Sequence, residues 1–394
     1  MGINMKKVLV YAGYKTINYG SALQAFATVE MLRKLNVEPV LLNLNGLWKA
    51  FRIKKTKFYL SSGDLLFLIQ SKGRMYYSKI YERFNLSYGR KMSSRRMKFN
   101  DFIQTQLILT EEISELQEAA ELLEEYDVLL LGSDQIWLPS SVVTDIYTLN
   151  FARDKQVIKI AYAPSFGINK IPEKYINKYQ EMFNNIDHIS VREESGKKIV
   201  EDIADIDCPV VADPVLMLDR SEWEQYFSYK RNNEQEYIFI YLIGNNRWQR
   251  EWIKKYAVMC NMRTVALIHL DEYISYDRKY FDQVLLDESP IDFFNWIRNA
   301  ELVFTDSYHC MLFSLIENKN VWCFRRFDDA KKISTNSRLY TILQKLQIEE
   351  RLLNRESRVE DCLLKDIDFI DVNKRISGMQ QKSWDFLRMA INNH

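Results

Sequence analysis

The chain has 394 residues, 47% of them hydrophobic and 27% charged, a composition typical of a folded globular protein and not of a disordered one. Its 54 lysine and arginine residues nearly balance 53 aspartate and glutamate residues, so the net charge of +1 gives no overall field that would select nucleic acid or membrane. At this length we expect two domains of roughly 150 to 200 residues each.

The cysteines, histidines and apolar runs indicate the cellular compartment and bear on metal binding and membrane insertion. The five cysteines form no C-x-x-C pair, and their odd number leaves no closed disulfide framework, which indicates a reducing cytoplasm. The four histidines include no H-E-x-x-H motif, so we expect neither a structural metal nor a metal cofactor. The longest apolar runs, such as residues 237–243, fall far short of the ~18 residues that span a bilayer. We therefore expect a cytoplasmic protein, at most peripheral at the inner face of the membrane.

Short apolar runs alternate with segments of helical periodicity along most of the chain. Residues 7–11 predict a strand, residues 23–35 a helix and residues 40–44 a second strand, which together form a parallel βαβ unit. The same alternation predicts these later elements: helix 114–125, strand 127–131, strand 158–162, helix 174–184, strand 188–191, strand 237–242, helix 248–260, strand 264–268, helix 291–299, strand 302–305, a helix to residue 317 and strand 321–324. This pattern is typical of two doubly wound, Rossmann-like α/β domains that face a cleft.

The division into domains is expected near Asp213, where the second series of strands and helices begins. Residues 1–213 would form the N-terminal domain, with an insertion at about residues 46–110, and residues 214–394 the C-terminal domain. By analogy with related folds, the last predicted helix, about residues 379–391, crosses back onto the first domain.

Residues 49–98, inside the insertion, break the balance of charge. They hold fourteen lysine or arginine residues against two acids, interleaved with aromatic residues. One interpretation is a pair of solvated helices. The other is a surface for anionic lipid headgroups or a lipid-diphosphate-linked glycan, with cations such as Arg90, Lys91, Arg95 and Arg96 on the phosphates. Nucleic acid would use the same cations, but no recognition motif accompanies them, so we expect no nucleic-acid partner.

Polar residues follow several of the predicted strands. In doubly wound sheets, ligands bind beyond the carboxyl ends of the strands, so these loops should converge on one cleft. The candidate binding residues in such loops are Asn18, Tyr19, Gly20, Ser133, Asp134, Gln135, Asn246 and Arg247. The same residue types also form ordinary turns and helix caps, and that interpretation stays open for each of them.

One histidine, His309, lies where a predicted strand turns into a helix. The helix N-terminus attracts anions, and an imidazole beside an anion site suits general acid or base work. His309 is therefore the candidate catalytic residue. Asp306 would either orient this imidazole or cap the helix, and Ser307 is a candidate substrate contact. The alternative is that His309 only completes a buried turn.

Arg192 lies between a predicted strand and a predicted helix. Its planar guanidinium could bind a carboxylate or phosphate through two parallel hydrogen bonds. The alternative is an ordinary ion pair with a neighbouring acid such as Glu193 or Glu194.

Six motifs in these loops together resemble the polysaccharide pyruvyl transferase family. They are Thr305–His309 followed by Phe313 and Ser314, Asn18–Gly20, Gly132–Trp137, Ala163–Gly167, Ser190–Glu193 and Ala212–Pro214. The resemblance covers about residues 7–330. It implies a two-domain glycosyltransferase-B-like fold and a reaction that ketalises a sugar with pyruvate taken from phosphoenolpyruvate.

The resemblance thus predicts a pyruvyl transferase that uses phosphoenolpyruvate as donor substrate and needs no cofactor. The acceptor would be a sugar of a cell-surface polysaccharide or of its lipid-linked oligosaccharide precursor, held by the first domain, with the donor on the second. Two alternatives stay open. One is a glycosyltransferase of the same fold that uses a nucleotide sugar, because Ser307 stands where several relatives carry arginine. The other is a non-catalytic subunit of a glycan assembly complex.

Overall fold

The computed structural model of the protein describes residues 5–14, 17–61, 65–228, 235–269, 273–327, 336–363 and 365–392, without the side chains of residues 65–72. The described residues form two six-stranded sheets in which every strand pair is parallel.

The first sheet is built from the N-terminal half of the chain. Its strands are β1 (Lys7–Tyr11), β2 (Glu38–Asn43), β3 (Leu109–Glu112), β4 (Val128–Leu131), β5 (Ile158–Ala161) and β6 (His188–Ile189), in the order β3-β2-β1-β4-β5-β6. The central strands β1, β4 and β5 are apolar and buried on both faces, as expected for a parallel sheet covered by helices.

The second sheet has the same architecture. Its strands are β7 (Tyr237–Tyr241), β8 (Arg263–Leu267), β9 (Gln283–Leu285), β10 (Leu302–Thr305), β11 (Asn320–Phe324) and β12 (Leu352–Leu353), in the order β12-β11-β10-β7-β8-β9. Strand β10 lies at the centre, with Thr305 in register with Tyr241 on one side and Cys323 on the other. The turn after β10 therefore projects from the middle of the carboxyl edge of this sheet.

Helices cover both sheets. Those of the N-terminal half are α1 (Tyr19–Arg33), α2 (Trp48–Ser61), α3 (Leu65–Phe84), α4 (Leu86–Gln106), α5 (Leu116–Leu122), α6 (Pro139–Val142), α7 (Ile176–Phe183), α8 (Glu194–Ala204) and α9 (Arg220–Tyr226). Those of the C-terminal half are α10 (Arg247–Cys260), α11 (Asp277–Tyr280), α12 (Pro290–Asn299), α13 (Tyr308–Ile316), α14 (Ser337–Leu346) and α15 (Phe369–Asn392). The fold is thus the doubly wound α/β class that the sequence predicts.

The insertion between β2 and β3 consists of the three helices α2 to α4, and one face of it packs against the second sheet. The Tyr81 ring stacks on that of Tyr273 with their centroids 3.7 Å apart. Arg95 is fully buried, and its guanidinium donates to the carbonyl of Ile268 at 2.7 Å. The expectation that Arg95 meets a lipid phosphate is therefore wrong, because the apolar surroundings and this carbonyl hold it inside the protein.

The last helix, α15, begins ten residues before the predicted start and packs against the first half of the chain. The Ser383 hydroxyl accepts the backbone N–H of Ala212 at 2.8 Å, and the Lys6 ammonium donates to the carbonyl of Ile391 at 2.6 Å. None of the helices in the described residues combines the length and the hydrophobicity needed to cross a membrane.

Candidate active site

His309 lies in the first turn of α13, just beyond the end of β10. Ser307 is the N-cap of this helix: its hydroxyl accepts the backbone N–H of Cys310 at 3.5 Å, and its own N–H donates to Thr305 Oγ1 at 3.0 Å. These contacts turn the chain sharply from strand into helix, so the imidazole faces the loops of the first sheet. Ser307, predicted as a substrate contact, thus acts as a helix cap in this structure.

A carboxylate and an amide from the other half of the chain meet the His309 ring. Asp213 Oδ2 lies 3.6 Å from His309 Nε2, and Gln24 Nε2 bridges the two, at 2.8 Å from Asp213 Oδ2 and 3.1 Å from His309 Nε2. All three side chains are buried. Asp213 therefore takes the position beside the imidazole that we expected for Asp306.

Asp306 serves a different purpose. Its two carboxylate oxygens accept the backbone N–H groups of Ile243 and Gly244 at 2.6 and 2.7 Å. It therefore fastens the loop after β7 to the turn after β10. The structure shows Asp306 neither orienting His309 nor capping α13, so both predicted roles are corrected.

Gly20 is required by its close approach to His309. A Cβ atom at this position would lie 2.3 Å from His309 Nδ1 and 2.8 Å from His309 Cβ. Any larger residue would displace the ring. The Asn18 side chain, at the N-cap of α1, accepts the N–H groups of Gly20 and Ser21 and so fixes this contact. The loop motif thus shapes the histidine site from the opposite sheet, and Asn18 itself acts as a cap.

Arg192 lies at the centre of the site, with only 1% of its side chain exposed. Its Nη1 donates to Asp213 Oδ2 at 2.5 Å, while Nε and Nη2 make no hydrogen bond among the described residues. Burial alone would lower the pKa of Arg192, but Asp213, Tyr308 and the neighbouring acids raise it. Arg192 therefore stays charged and keeps two buried donors for an anion.

A second guanidinium, that of Arg338 at the start of α14, reaches the same place. Arg192 and Arg338 lie over the Tyr308 ring at 4.7 and 5.3 Å, and both approach Asp134 Oδ1, at 3.8 and 3.6 Å. Burial and the charge of Arg192 lower the pKa of Arg338 to about 10. Because burial and the charge of Arg192 disfavour the charged form of Arg338, a bound anion would stabilise Arg338 in that form.

Asp134 is the most accessible acid of the site, with 24% of its side chain exposed. Its carboxylate accepts from Ser21 Oγ at 2.9 Å and from the N–H of Gln135 at 2.8 Å. Its backbone φ of +85° is one that residues with a side chain rarely adopt, and such strain often occurs at functional sites. Burial would raise the pKa of Asp134, but His309, Arg192 and Arg338 hold it below its usual value.

Glu193 fixes the loop next to the site. Its Oε1 accepts the hydroxyl of Ser165 at 2.7 Å and the N–H of Phe166 at 3.0 Å. The side chain is fully buried, and Oε2 lies 3.9 Å from Arg192 Nε. The predicted alternative for Arg192, an ion pair with Glu193, is therefore present, and the pair is buried.

Tyr19 and Ser133, both predicted as substrate contacts, bind other parts of the protein. Tyr19 stacks on Phe293 with ring centroids 4.7 Å apart and donates its hydroxyl to the carbonyl of Glu288 at 2.9 Å, so it joins the two halves of the chain. Ser133 Oγ donates to the carbonyl of Ala163 at 2.6 Å and lies 3.5 Å from Arg192 Nη1.

Three further predicted binding residues, Gln135, Asn246 and Arg247, lie in different environments. Gln135 Nε2 is buried and makes no hydrogen bond among the described residues. Arg247 has 66% of its side chain exposed and forms an ion pair with Glu251 at 2.9 Å, so the prediction that it holds an anionic donor is not supported by its position. Asn246 donates to the carbonyl of Arg326 at 3.0 Å and lines a separate cavity.

Sequence reasoning missed four residues of the site. Asp213 stands in one of the loop motifs, and Gln24 is a polar residue in an almost wholly buried helix, so both carried a signal. Tyr308 likewise stands in the motif that contains His309. Arg338 carried no such signal, because it meets the site only through tertiary packing.

Comparisons with known proteins agree with this fold. A crystal structure of UDP-N-acetylglucosamine 2-epimerase superposes on this chain with a TM-score of 0.52 and 11% sequence identity. The alignment covers 99% of this chain and 97% of that chain. The structure of the S. aureus MnaA–UDP complex superposes with a TM-score of 0.52 and 11% sequence identity. This alignment covers 98% of this chain and 97% of that chain. These likenesses show a glycosyltransferase-B-like fold and nothing more specific. No curated protein sequence gives a significant match.

The sequence itself identifies the family. Residues 18–328, which include Arg192 and His309 but not Arg338, match the family described as polysaccharide pyruvyl transferase. The protein therefore belongs to the polysaccharide pyruvyl transferase family and is a transferase.

Proposed function

We propose that this protein transfers pyruvate from phosphoenolpyruvate onto two hydroxyls of one sugar, in a surface polysaccharide or its lipid-linked precursor. The observation that carries the proposal is the buried arginine pair, Arg192 and Arg338, beside His309. Two donors of Arg192 make no hydrogen bond within the described parts of the chain, and a second guanidinium has a lowered pKa beside them. Such a pair suits a small molecule with both a carboxylate and a phosphate.

The reaction needs one proton delivered and two removed. The methylene carbon of phosphoenolpyruvate takes up a proton, and a sugar hydroxyl attacks the C2 carbon and loses its proton. Phosphate leaves, and the second hydroxyl closes the ketal as it loses its proton. His309 is placed to move a proton, because Asp213 and Gln24 fix its ring.

Asp134 is the proposed contact for the acceptor. It is ionised at neutral pH because its pKa is lowered by His309, Arg192 and Arg338 despite its burial. An ionised carboxylate accepts hydrogen bonds from sugar hydroxyls, and this one is also the most exposed acid of the cluster.

The test of the proposed function is acceptor-dependent release of phosphate from phosphoenolpyruvate, measured beside a panel of nucleotide sugars. Phosphate release that requires a glycan acceptor and no nucleotide supports the proposal. Transfer from a nucleotide sugar alone would replace it with a glycosyltransferase, and stoichiometric binding without turnover would indicate a non-catalytic subunit.

We expect Arg192→Lys to raise the Kd for phosphoenolpyruvate roughly tenfold to a hundredfold. Lysine can still pair with Asp213, but it lacks the planar fork, and a hydrogen bond to a charged group contributes roughly 1.5 to 3 kcal/mol. Isothermal titration calorimetry measures the Kd. Arg247→Lys is the matched control and should leave it unchanged, because Arg247 forms a surface pair. Equal Kd values for wild type and Arg192→Lys would remove Arg192 from the donor site.

We also propose that the outer face of α3 and the start of α4 contacts an anionic membrane. The exposed apolar side chains Tyr76, Ile80 and Phe84 recur every four residues along α3, with 60%, 55% and 82% of each exposed. Lys79 and Arg83 are exposed beside them. Apolar groups flanked by cations are typical of helices that lie in the headgroup region of anionic lipid.

For this membrane face we expect the triple variant Lys79→Gln, Arg83→Gln, Arg90→Gln to bind anionic vesicles roughly a hundredfold more weakly at low salt. Each cation near the surface contributes on the order of 1 kcal/mol. Cosedimentation with vesicles measures the binding, which should fade as salt shortens the Debye length to about 10 Å at 0.1 M.

A matched triple variant removes the same charge elsewhere. Lys198→Gln, Arg358→Gln, Arg388→Gln replaces three exposed cations far from α3 in sequence, so it should cosediment like the wild type. If both triple variants bind equally well, or lose binding equally, the α3 face has no special role.

A further inference from the structure

A second polar cavity, of about 330 Å³, lies where β7, β11 and β12 end. Its lining includes Asn246, Trp248, Arg325, Arg326, Arg355 and Glu356. Its volume falls at the lower end of the range for small-molecule sites, roughly 300 to 1,000 Å³. We name it the arginine pocket. Neither the family match nor the fold likeness assigns a ligand to it.

The charges of the arginine pocket favour an anion. Among the described residues that line it, three carry a guanidinium group and one, Glu356, carries a carboxylate. Arg326 Nε is buried and makes no hydrogen bond among the described residues. Arg355 is exposed, with its guanidinium carbon 5.5 Å from the centre of the Trp248 ring. Within the part of the chain that the structure describes, the lining thus combines more cations than acids, a buried donor without a hydrogen bond and an aromatic wall.

The N-terminus of α10 opens into the same pocket. Asn246 occupies the N-cap position but makes no capping hydrogen bond, because its side-chain amide donates to the carbonyl of Arg326 at 3.0 Å. The first-turn N–H groups of this 14-residue helix therefore keep the partial positive charge of an uncapped N-terminus. The helix N-terminus and the arginines therefore both favour an anionic ligand.

We propose that the arginine pocket binds a diphosphate ester that carries the acceptor sugar, an inference that rests on the proposed function. Arg326 Nε, the exposed guanidinium of Arg355 and the N-terminus of α10 provide more donors than one phosphate uses, and Trp248 supplies an aromatic wall beside an attached ring. Arg326 connects the two sites: it also lines a small space with Tyr308 and Arg338, and its Nη2 donates to the carbonyl of Asp306 at 3.2 Å.

Because Arg326 lines both spaces, a ligand anchored in the arginine pocket would lie next to the small space beside Tyr308 and Arg338. The diphosphate has two chemical sources, a lipid-linked glycan or a nucleoside diphosphate sugar. Both present the same group to the arginines and differ only in what lies beyond it.

The first experiment titrates inorganic pyrophosphate and, separately, phosphoenolpyruvate into the wild type, Arg355→Gln and Arg358→Gln. Arg358 is the matched control, an exposed cation three residues away that does not line the pocket. We expect Arg355→Gln to weaken pyrophosphate binding roughly tenfold while the Kd for phosphoenolpyruvate stays within twofold. Equal pyrophosphate affinity in all three proteins, or equal loss in both variants, overturns the proposal. Absence of phosphoenolpyruvate binding to the wild type would instead count against the proposed function.

The second experiment identifies the source. UDP-N-acetylglucosamine and a short-chain polyprenyl diphosphate N-acetylglucosamine are titrated into the same three proteins. Binding of the lipid-linked compound that weakens in Arg355→Gln alone supports the pocket and assigns the lipid source. The same result with the nucleotide sugar supports the pocket and assigns the nucleotide source. If neither compound binds in a way that depends on Arg355, the diphosphate ester proposal is wrong.

Discussion

Replacing His309 with glutamine is expected to lower the turnover of phosphate release at least a hundredfold. A positioned acid or base contributes roughly 10²- to 10⁴-fold to a rate, and glutamine cannot transfer a proton at neutral pH. Glutamine has a size close to that of histidine and an amide that can still meet Gln24 and Asp213. The Kd for phosphoenolpyruvate should change far less, because the donors of Arg192 are untouched. Steady-state kinetics and calorimetry measure the two quantities.

The control for His309→Gln is His188→Gln. His188 is the half-buried first residue of β6, in register with Ile160 of β5, so its replacement should leave turnover within about twofold once folding is verified. A His309→Gln protein with native circular dichroism, native melting temperature and full turnover would show that His309 only completes the turn before α13.

Asp213→Ala is expected to lower the free energy of unfolding by about 3 to 5 kcal/mol. Asp213 is fully buried and accepts from Arg192, Gln24 and the backbone N–H of Val215. Its removal leaves the Arg192 charge buried without its closest partner, and breaking one side of a buried ion pair costs about this much. Denaturant unfolding followed by tryptophan fluorescence measures the change.

Two further variants separate charge from packing at Asp213. Asp207→Ala removes an acid that pairs with Lys197 at the surface, and exposed pairs contribute little, so stability should hardly change. Adding Arg192→Met to Asp213→Ala should recover part of the lost stability, because no unpaired charge remains. No recovery in the double variant would attribute the loss to packing instead.

The carboxylate of Asp213 also makes the stability of the protein depend on pH. Burial would raise the pKa of Asp213, but His309 and Arg192 hold it well below its usual value. A carboxyl whose pKa is lower in the folded state stabilises the fold above its unfolded pKa, about 3.9, and this contribution is lost as the pH falls toward the folded value. The wild type should therefore lose stability below about pH 4, and Asp213→Asn should lose less over that range.

The sequence by itself determined the elements that depend on local pattern. Strand β1 and strand β10 fall on the predicted residues, because a short apolar run is buried in a parallel sheet whichever strand lies beside it. The strands β3, β9 and β12 were missed, because these sheet-edge strands are only partly buried and lack a long apolar run.

The sequence also located the loops of the site, because polar residues after buried strands can only lie at the carboxyl edge of a sheet. It identified His309, Arg192 and Asp134, which the structure brings within one cluster. It did not distinguish residues that face the cleft from residues that support it. Asp306 and Ser307 stand in the same motif as His309, yet their side chains bind backbone N–H groups.

Only the tertiary structure decided which distant side chains complete the site. Asp213 and Gln24 reach His309 across 96 and 285 positions of sequence, and no local spacing encodes such contacts. Arg338 reaches Asp134 across 204 positions. The same holds for Arg95, which looks like a surface cation in a basic segment and is buried between the two halves of the chain. The periodicity of apolar residues indicates which side chains are buried. The partner that each buried side chain contacts depends on how the two sheets face each other, which is a property of the folded chain as a whole.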